Sequence, residues 1–250
     1  MSHRRKHRIK LKSLYVWHRY AGLCAALLAI VLAATGIVLN HTEALKLDQR
    51  HVRADWVLDW YGIRAPATAT SHVTPAARVT LLGRQLYVGE RPLPGDYARL
   101  IGAVGTAAGL LIAVDDRLLL TDPQGELLAE LTALDGVPSG MRRLGSEGED
   151  RPVIEAAAGL YRPDQDFIRW ERLEPSRPVA WAEPDELPPA QRTVLTRDFR
   201  GRILPWERVL LDLHSGRLFG TYGVWVMDAA ALILLFLAGS GVLIWLRRKR

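Results

Sequence analysis

The chain has 250 residues, with 33 Lys and Arg against 27 Asp and Glu, a formal net charge of +6 and a single cysteine. One cysteine excludes an internal disulfide, so any folded domain is held by packing alone. The positive charge is not a nucleic-acid signature, because it is segregated at the two ends. Residues 1–20 and 247–250 hold eleven of the basic side chains and no acid, which leaves residues 21–246 with 22 basic and 27 acidic side chains.

Residues 1–15 form a basic tail containing Arg4, Arg5, Lys6, Arg8, Lys10 and Lys12. Residues 16–40 then read as a first transmembrane helix. From Val16 to Leu39 the only ionisable side chains besides Tyr20 and Cys24 are His18 and Arg19. A run of this length rises roughly 36 Å, somewhat more than a hydrocarbon core of about 30 Å. Its apolar part exceeds that of a cleaved signal peptide and no clean A-x-A site follows, so the helix is expected to be retained. Small residues at Gly22, Ala26, Ala29, Ala33 and Gly36 alternate in steps of four and three, a face suited to close helix packing.

Residues 41–222 read as a β-rich extracytoplasmic domain with membrane-proximal segments. Strand-like runs at Arg78–Leu82 and Gln85–Val88 flank a Gly83-Arg84 turn, and Leu110–Val114, Arg117–Thr121 and Glu126–Leu131 follow as a three-stranded meander. Further strands are expected at Val153–Tyr161, Phe167–Leu173, Thr193–Asp198 and Arg202–Leu204. A short turn near Ser139–Leu144 is the only helical element expected outside the membrane. An antiparallel meander or sandwich and a partial propeller all fit this spacing. Residues 223–246 read as the second transmembrane helix, with Asp228 its only ionisable side chain, and residues 247–250 as a basic end.

Basic flanks before the first helix and after the second place both termini in the cytoplasm and the intervening domain outside, the topology of a bacterial inner-membrane protein with a periplasmic domain. Trp17 and Trp245 at one boundary, and Tyr222 and Trp225 at the other, supply the aromatic belts.

No phosphate-binding glycine loop, paired-histidine zinc helix, Gly-x-Ser-x-Gly elbow or CxxC occurs, which argues against conventional nucleotide or hydrolase chemistry. Three histidines are placed instead by topology. His18 is at the inner head of the first helix, His41 at its outer end, and His214 just before the second helix. His41 and His214 therefore share one membrane face, where they serve either as hydrogen-bonding anchors or as axial ligands of one haem. His18 is roughly 34 Å of helix from His41 and cannot share that haem; an inner cofactor would need a ligand from another subunit. Asp228 is either a solvated or Arg217-paired carboxylate, or a group that orients a nearby ligand imidazole.

Trp17-His18-Arg19-Tyr20-Ala21-Gly22, Thr35-Gly36 and Leu39-Asn40-His41 resemble the first helix of the PepSY-associated transmembrane family, and Leu213-His214-Ser215-Gly216-Arg217-Leu218-Phe219-Gly220 with Gly239–Trp245 resembles its closing helix. The resemblance covers roughly 60 residues at the two ends, at the spacing the motifs require. It implies haem b held by His18, His41 and His214, and a role in iron acquisition as a ferric (siderophore) reductase or electron-transfer subunit. Larger members have four helices, so this chain is expected to act as a homodimer or within a larger membrane complex in the lipid bilayer. No small α+β PepSY module is recognisable in the middle of the chain. The competing expectation is a non-catalytic accessory or sensor subunit whose β domain binds a partner.

Overall fold

The computed structural model describes residues 5–148, 151–174 and 178–248. Arg4, Lys249 and Arg250 of the basic ends lie outside these residues. The chain divides into two compact units, one of residues 1–54 with 202–250 and one of residues 55–201.

The first unit opens with α1 (Arg5–Asn40) and the single turn α2 (Thr42–Leu45). Lys46 ends α2 in the left-handed region at φ 53°.

The second unit begins with α3 (Asp55–Trp60) and continues as three successive antiparallel meanders. The first contains β1 (Ala69–Val73), β2 (Arg78–Leu82), β3 (Gln85–Val88) and β4 (Arg91–Pro92). The second contains β5 (Leu100–Thr106), β6 (Gly109–Val114), β7 (Arg117–Thr121) and β8 (Leu127–Leu131). The third contains β9 (Arg143–Ser146), β10 (Pro152–Ala156), β11 (Gly159–Pro163), β12 (Trp170–Arg172) and β13 (Ala180–Trp181), with β13 paired outside β9. α4 (Pro189–Arg200) closes the unit.

Alternation along β6 explains how the sheets stack. Successive side chains leave opposite faces of a strand. Leu110, Ile112 and Val114 therefore join Val79, Leu81, Leu86 and Val88 of the first sheet. Leu111 and Ala113 join Leu144, Ile154 and Ala156 of the third. The middle sheet is thus buried on both faces, which is why its strands are near-continuous apolar runs. The leading strands β1, β5 and β9 adjoin one another, as do the first strands of neighbouring propeller blades.

The sequence misplaces several elements. Thr193–Asp198 is not a strand but part of α4, and residues 202–204 form no strand. Pro189 occupies the first helical turn, where a missing N–H costs nothing, and Leu195 and Phe199, four apart, pack on Leu82, Tyr87 and Leu187. This spacing outweighs the strand propensity of Thr193-Val194. Helices α3 and α4, and a further helix at Trp206–His214, all lie outside the apolar runs, contrary to the single turn expected there. Val153–Tyr161 is a hairpin, β10 and β11, that reverses at Ala157-Ala158. Ser139–Leu144 leads into β9 rather than a helical turn.

The first unit is completed by α5 (Trp206–His214), a 3₁₀ turn at Arg217–Phe219, and α6 (Gly220–Arg248). Backbone bonds knit its two chain segments together: Val52 N–H donates to Leu204 C=O at 2.8 Å, and Trp206 N–H to Arg50 C=O at 2.9 Å. α1 packs on both α5 and α6; Ala25 is buried, and an added Cβ at Gly22 would meet Leu237 of α6 at 3.8 Å. Ala26 and Ala33 of the expected small-residue face are exposed. The packed stripe takes its first step from Gly22 as three rather than four. Arg217–Leu246 is long and apolar enough to cross a bilayer, and Tyr15–Leu23 with Ala25–Asn40, meeting at 46°, pass the same test as a pair. Leu23, Leu27, Leu232 and Leu235 are each at least two-thirds exposed, the outward apolar surface that lipid would cover.

Candidate functional site

Two of the three singled-out histidines are built into the contact between helices. His214 ends α5, and its Nδ1 lies 2.8 Å from Thr35 Oγ1 on α1. The ring edge faces Gly36, where an added Cβ would stand 3.5 Å from His214 Cε1. His18 of α1 reaches the opposite way, with Nδ1 2.7 Å from Ser240 Oγ on α6, and an added Cβ at Gly241 would lie 3.8 Å from His18 Cε1. Each imidazole therefore sits on a hydroxyl-glycine dipeptide, Thr35-Gly36 or Ser240-Gly241. The hydroxyl holds Nδ1, and the ring edge lies beside the glycine. Thr35 and Ser240 are both buried, while the two histidines are partly exposed.

His18 and Thr35 are 17 positions apart on α1, about 25 Å of helical rise, so the two cradles are separate sites. Among the described residues, no hydrogen bond engages Nε2 of either ring. Imidazole coordinates through either nitrogen, and a hydrogen bond at one fixes which of them faces a metal.

His41 is placed differently. It stands exposed between α1 and α2, at φ −112° and ψ 24°, and makes no side-chain bond to the α2 amides. Six positions separate it from Thr35, about 9 Å of rise and about 120° of rotation on an ideal helix. Asp228 is exposed on α6, and among the described residues it forms no ion pair with Arg217 or any other side chain. The side chain within hydrogen-bond distance of the His214 ring is that of Thr35.

Just before His214, the buried Asp212 accepts at Oδ2 from Arg208 Nε at 2.9 Å, one turn earlier on the same helix. The chain then turns through Gly216 at φ +77°, where a Cβ would stand 2.3 Å from Gly223 O. This close approach fixes where α6 starts relative to His214. Tyr222 and Trp225 meet edge to face at 6.1 Å between ring centroids near that start. Such amphipathic rings suit a membrane boundary.

Sequence reasoning singled out the histidines and Thr35-Gly36, but it passed over Ser240 between Gly239 and Gly241. The signal that could have found it is the repetition of a hydroxyl-glycine dipeptide in the second apolar run. Among the described residues, no group of three His, Cys, Asp or Glu side chains is arranged to hold a metal ion. A haem makes no such demand, since the porphyrin supplies four nitrogens and the protein only axial ligands.

In the second unit, a cavity of about 730 Å³ opens where β1, β5 and β9 adjoin, with Thr74, Thr106, Ser146 and Trp181 in its walls. Beside it, His72 of β1 is buried and neither ring nitrogen completes a hydrogen bond. Burial pushes its pKa below the usual histidine value, opposed by the backbone and carboxylate of Glu183.

A model of the PepSY-associated TM region family matches residues 2–248. No curated protein and no solved structure matches the chain.

Proposed function

We infer, for a chain that belongs to the family of the PepSY-associated TM region, that this membrane protein binds haem b at its helix pair and passes electrons across a bacterial inner membrane. The observation that supports this reading is the pair of cradles, in which His18 and His214 are held by Nδ1 and keep Nε2 for another partner. Haem, when bound, supplies a one-electron couple whose potential depends on its axial ligands and their surroundings.

The protein's own groups have definable tasks in this reading. His214 would hold the group through an imidazole nitrogen on the side where α1 ends and α6 begins. His18 would do so at the other end of the pair. Thr35 and Ser240 hold the rings against rotation, and the apolar faces of α1 and α6 keep water away. Each cradle contains one imidazole, so any second protein ligand would come from elsewhere: His41 for the site at His214, or a second copy or membrane partner for either site. The basic ends put both termini in the cytoplasm and the sheet unit in the periplasm, so electrons would leave toward a periplasmic acceptor such as ferric iron. The alternative, a non-catalytic accessory or sensor subunit, is favoured by the cavity at the leading strands, which has the volume of a small-molecule site.

A visible-range spectrum of protein purified from haem-replete cells separates these readings. Haem binding gives a Soret band with sharp α and β bands on reduction. A colourless, folded protein that also fails to take up added haem would overturn the redox reading.

A further inference from the structure

The hydrogens around the two cradles can be counted. A threonine or serine hydroxyl has one hydrogen to donate and lone pairs to accept with, and a backbone carbonyl can only accept. Thr35 Oγ1 lies 2.7 Å from Val31 C=O, and Leu32 C=O is a second neighbour at 3.2 Å. If Thr35 donated to the ring instead, its oxygen and that of Val31 would face each other at 2.7 Å with no proton between them. The hydrogen therefore belongs to the backbone contact, a back-bond of the kind helical hydroxyls commonly make. The 2.8 Å contact with His214 must then carry the imidazole's own hydrogen. Ser240 repeats the arrangement: its Oγ donates to Leu237 C=O at 3.2 Å and accepts from His18 Nδ1 at 2.7 Å.

From this count we infer that Thr35 and Ser240 are positioning residues that fix His214 and His18 as Nδ1–H tautomers, each turning the lone pair of Nε2 toward a ligand that accepts electron pairs. An unconstrained neutral imidazole exchanges between tautomers, and only the form with a bare Nε2 can coordinate through that atom. The backbone carbonyls at Val31 and Leu237 thus act on the ligand nitrogens through one intervening hydroxyl, as supporting groups do at metal-bound histidines. The longer Ser240 back-bond makes the inner assignment the looser of the two. That the incoming ligand is haem iron rests on the proposed function; the tautomer does not.

The test uses full-length protein, labelled with ¹⁵N at histidine and prepared without haem in lipid nanodiscs, followed by haem titration. Nitrogen shifts should report His214 and His18 as Nδ1–H tautomers. Thr35→Val, which keeps the shape and removes the acceptor, should turn His214 into a tautomer mixture and weaken haem binding at that site by about tenfold or more. Thr35→Ser should restore both, and Ser240→Ala should act on His18 alone. Wild-type rings found as Nε2–H, or a Thr35→Val protein with an unchanged His214 spectrum, would overturn the assignment even if haem binds. Nδ1–H rings in a protein that takes up no haem would uphold it and sink the redox reading instead.

Discussion

Thr35 and His214 are 179 positions apart in the chain, yet their side chains meet at 2.8 Å. The contact joins the C-terminal part of α1 to the end of α5, and His18 with Ser240 makes the corresponding contact near the other end of the helix pair. Because about 25 Å of α1 lies between the cradles, their ligands should behave independently. His214→Ala should remove one haem component of the reduced spectrum and His18→Ala another, and the double variant should lose both. Loss of the same component in both single variants would show that one site depends on both rings and would defeat the two-cradle reading.

His41 gives a sharper separation of roles. If it supplies the second outer ligand, His41→Ala should remove the component that His214→Ala removes and spare the other. A His41→Ala protein with the wild-type spectrum would transfer that ligand to a second copy. Light scattering in mild detergent should then show more than one 27.9 kDa chain per particle.

The topology is testable without any cofactor. Alkaline-phosphatase fusions near Gly125, in the turn between β7 and β8, should be active, and fusions after Arg250 inactive. The reverse pattern would place the sheet unit in the cytoplasm and remove the argument for a periplasmic electron acceptor.

Gly216 sets the junction between α5 and α6. Its φ of +77° is a region that L side chains rarely adopt, and an added Cβ would stand 2.3 Å from the Gly223 carbonyl, which belongs to backbone and cannot swing aside. Gly216→Ala should therefore cost about 2 kcal/mol or more through strain and overlap together. It should lower the thermal midpoint in detergent and disturb the His214 component while leaving that of His18. Gly239→Ala meets open space and should change neither.

What could be read from the sequence depended on how local the signal was. Hairpins such as β2–β3 and β6–β7 were readable because a two-residue turn, Gly83-Arg84 or Asp115-Asp116, sits between apolar runs whose strand bounds the structure reproduces to within one residue. β5 was missed because Gly102 and Gly105 interrupt its apolar run. Yet Gly102 is needed where Ala182 and Leu144 approach to about 3 Å of its missing Cβ, a contact made by distant segments. Thr193–Asp198 of α4 was mistaken for a strand because Thr193, Val194 and Thr196 are β-branched, and only tertiary packing of Leu195 and Phe199 selects the helix. The cradles show the same limit. His18, His214 and Thr35-Gly36 stand out in the sequence, but which hydroxyl meets which imidazole follows from helix pairing, and the only local mark of Ser240 is the glycine that follows it.

His72 gives the sheet unit a pH dependence that can be derived with its sign. The ring is buried in β1, neither nitrogen completes a hydrogen bond, and burial holds its pKa below the usual histidine value of about 6.5. The charged groups around the strand are the Glu183 carboxylate, which opposes the shift, and the Arg78–Asp185 pair at 2.6 Å, in which Arg78 Nη1 also donates to Ser71 Oγ. With the folded value depressed, the unfolded chain binds the proton more readily. Stability is therefore intact above the unfolded pKa and falls as pH drops below it toward the folded value, at a rate of at most about 1.4 kcal/mol per pH unit. Hydrogen exchange at the amides that join β1 to β2 should accelerate between pH 7 and pH 5 beyond the intrinsic change in exchange rate. His72→Leu, which fills the site without binding a proton, should flatten that dependence. An equal pH slope in the variant would show that the acid sensitivity comes from carboxylates elsewhere in the unit.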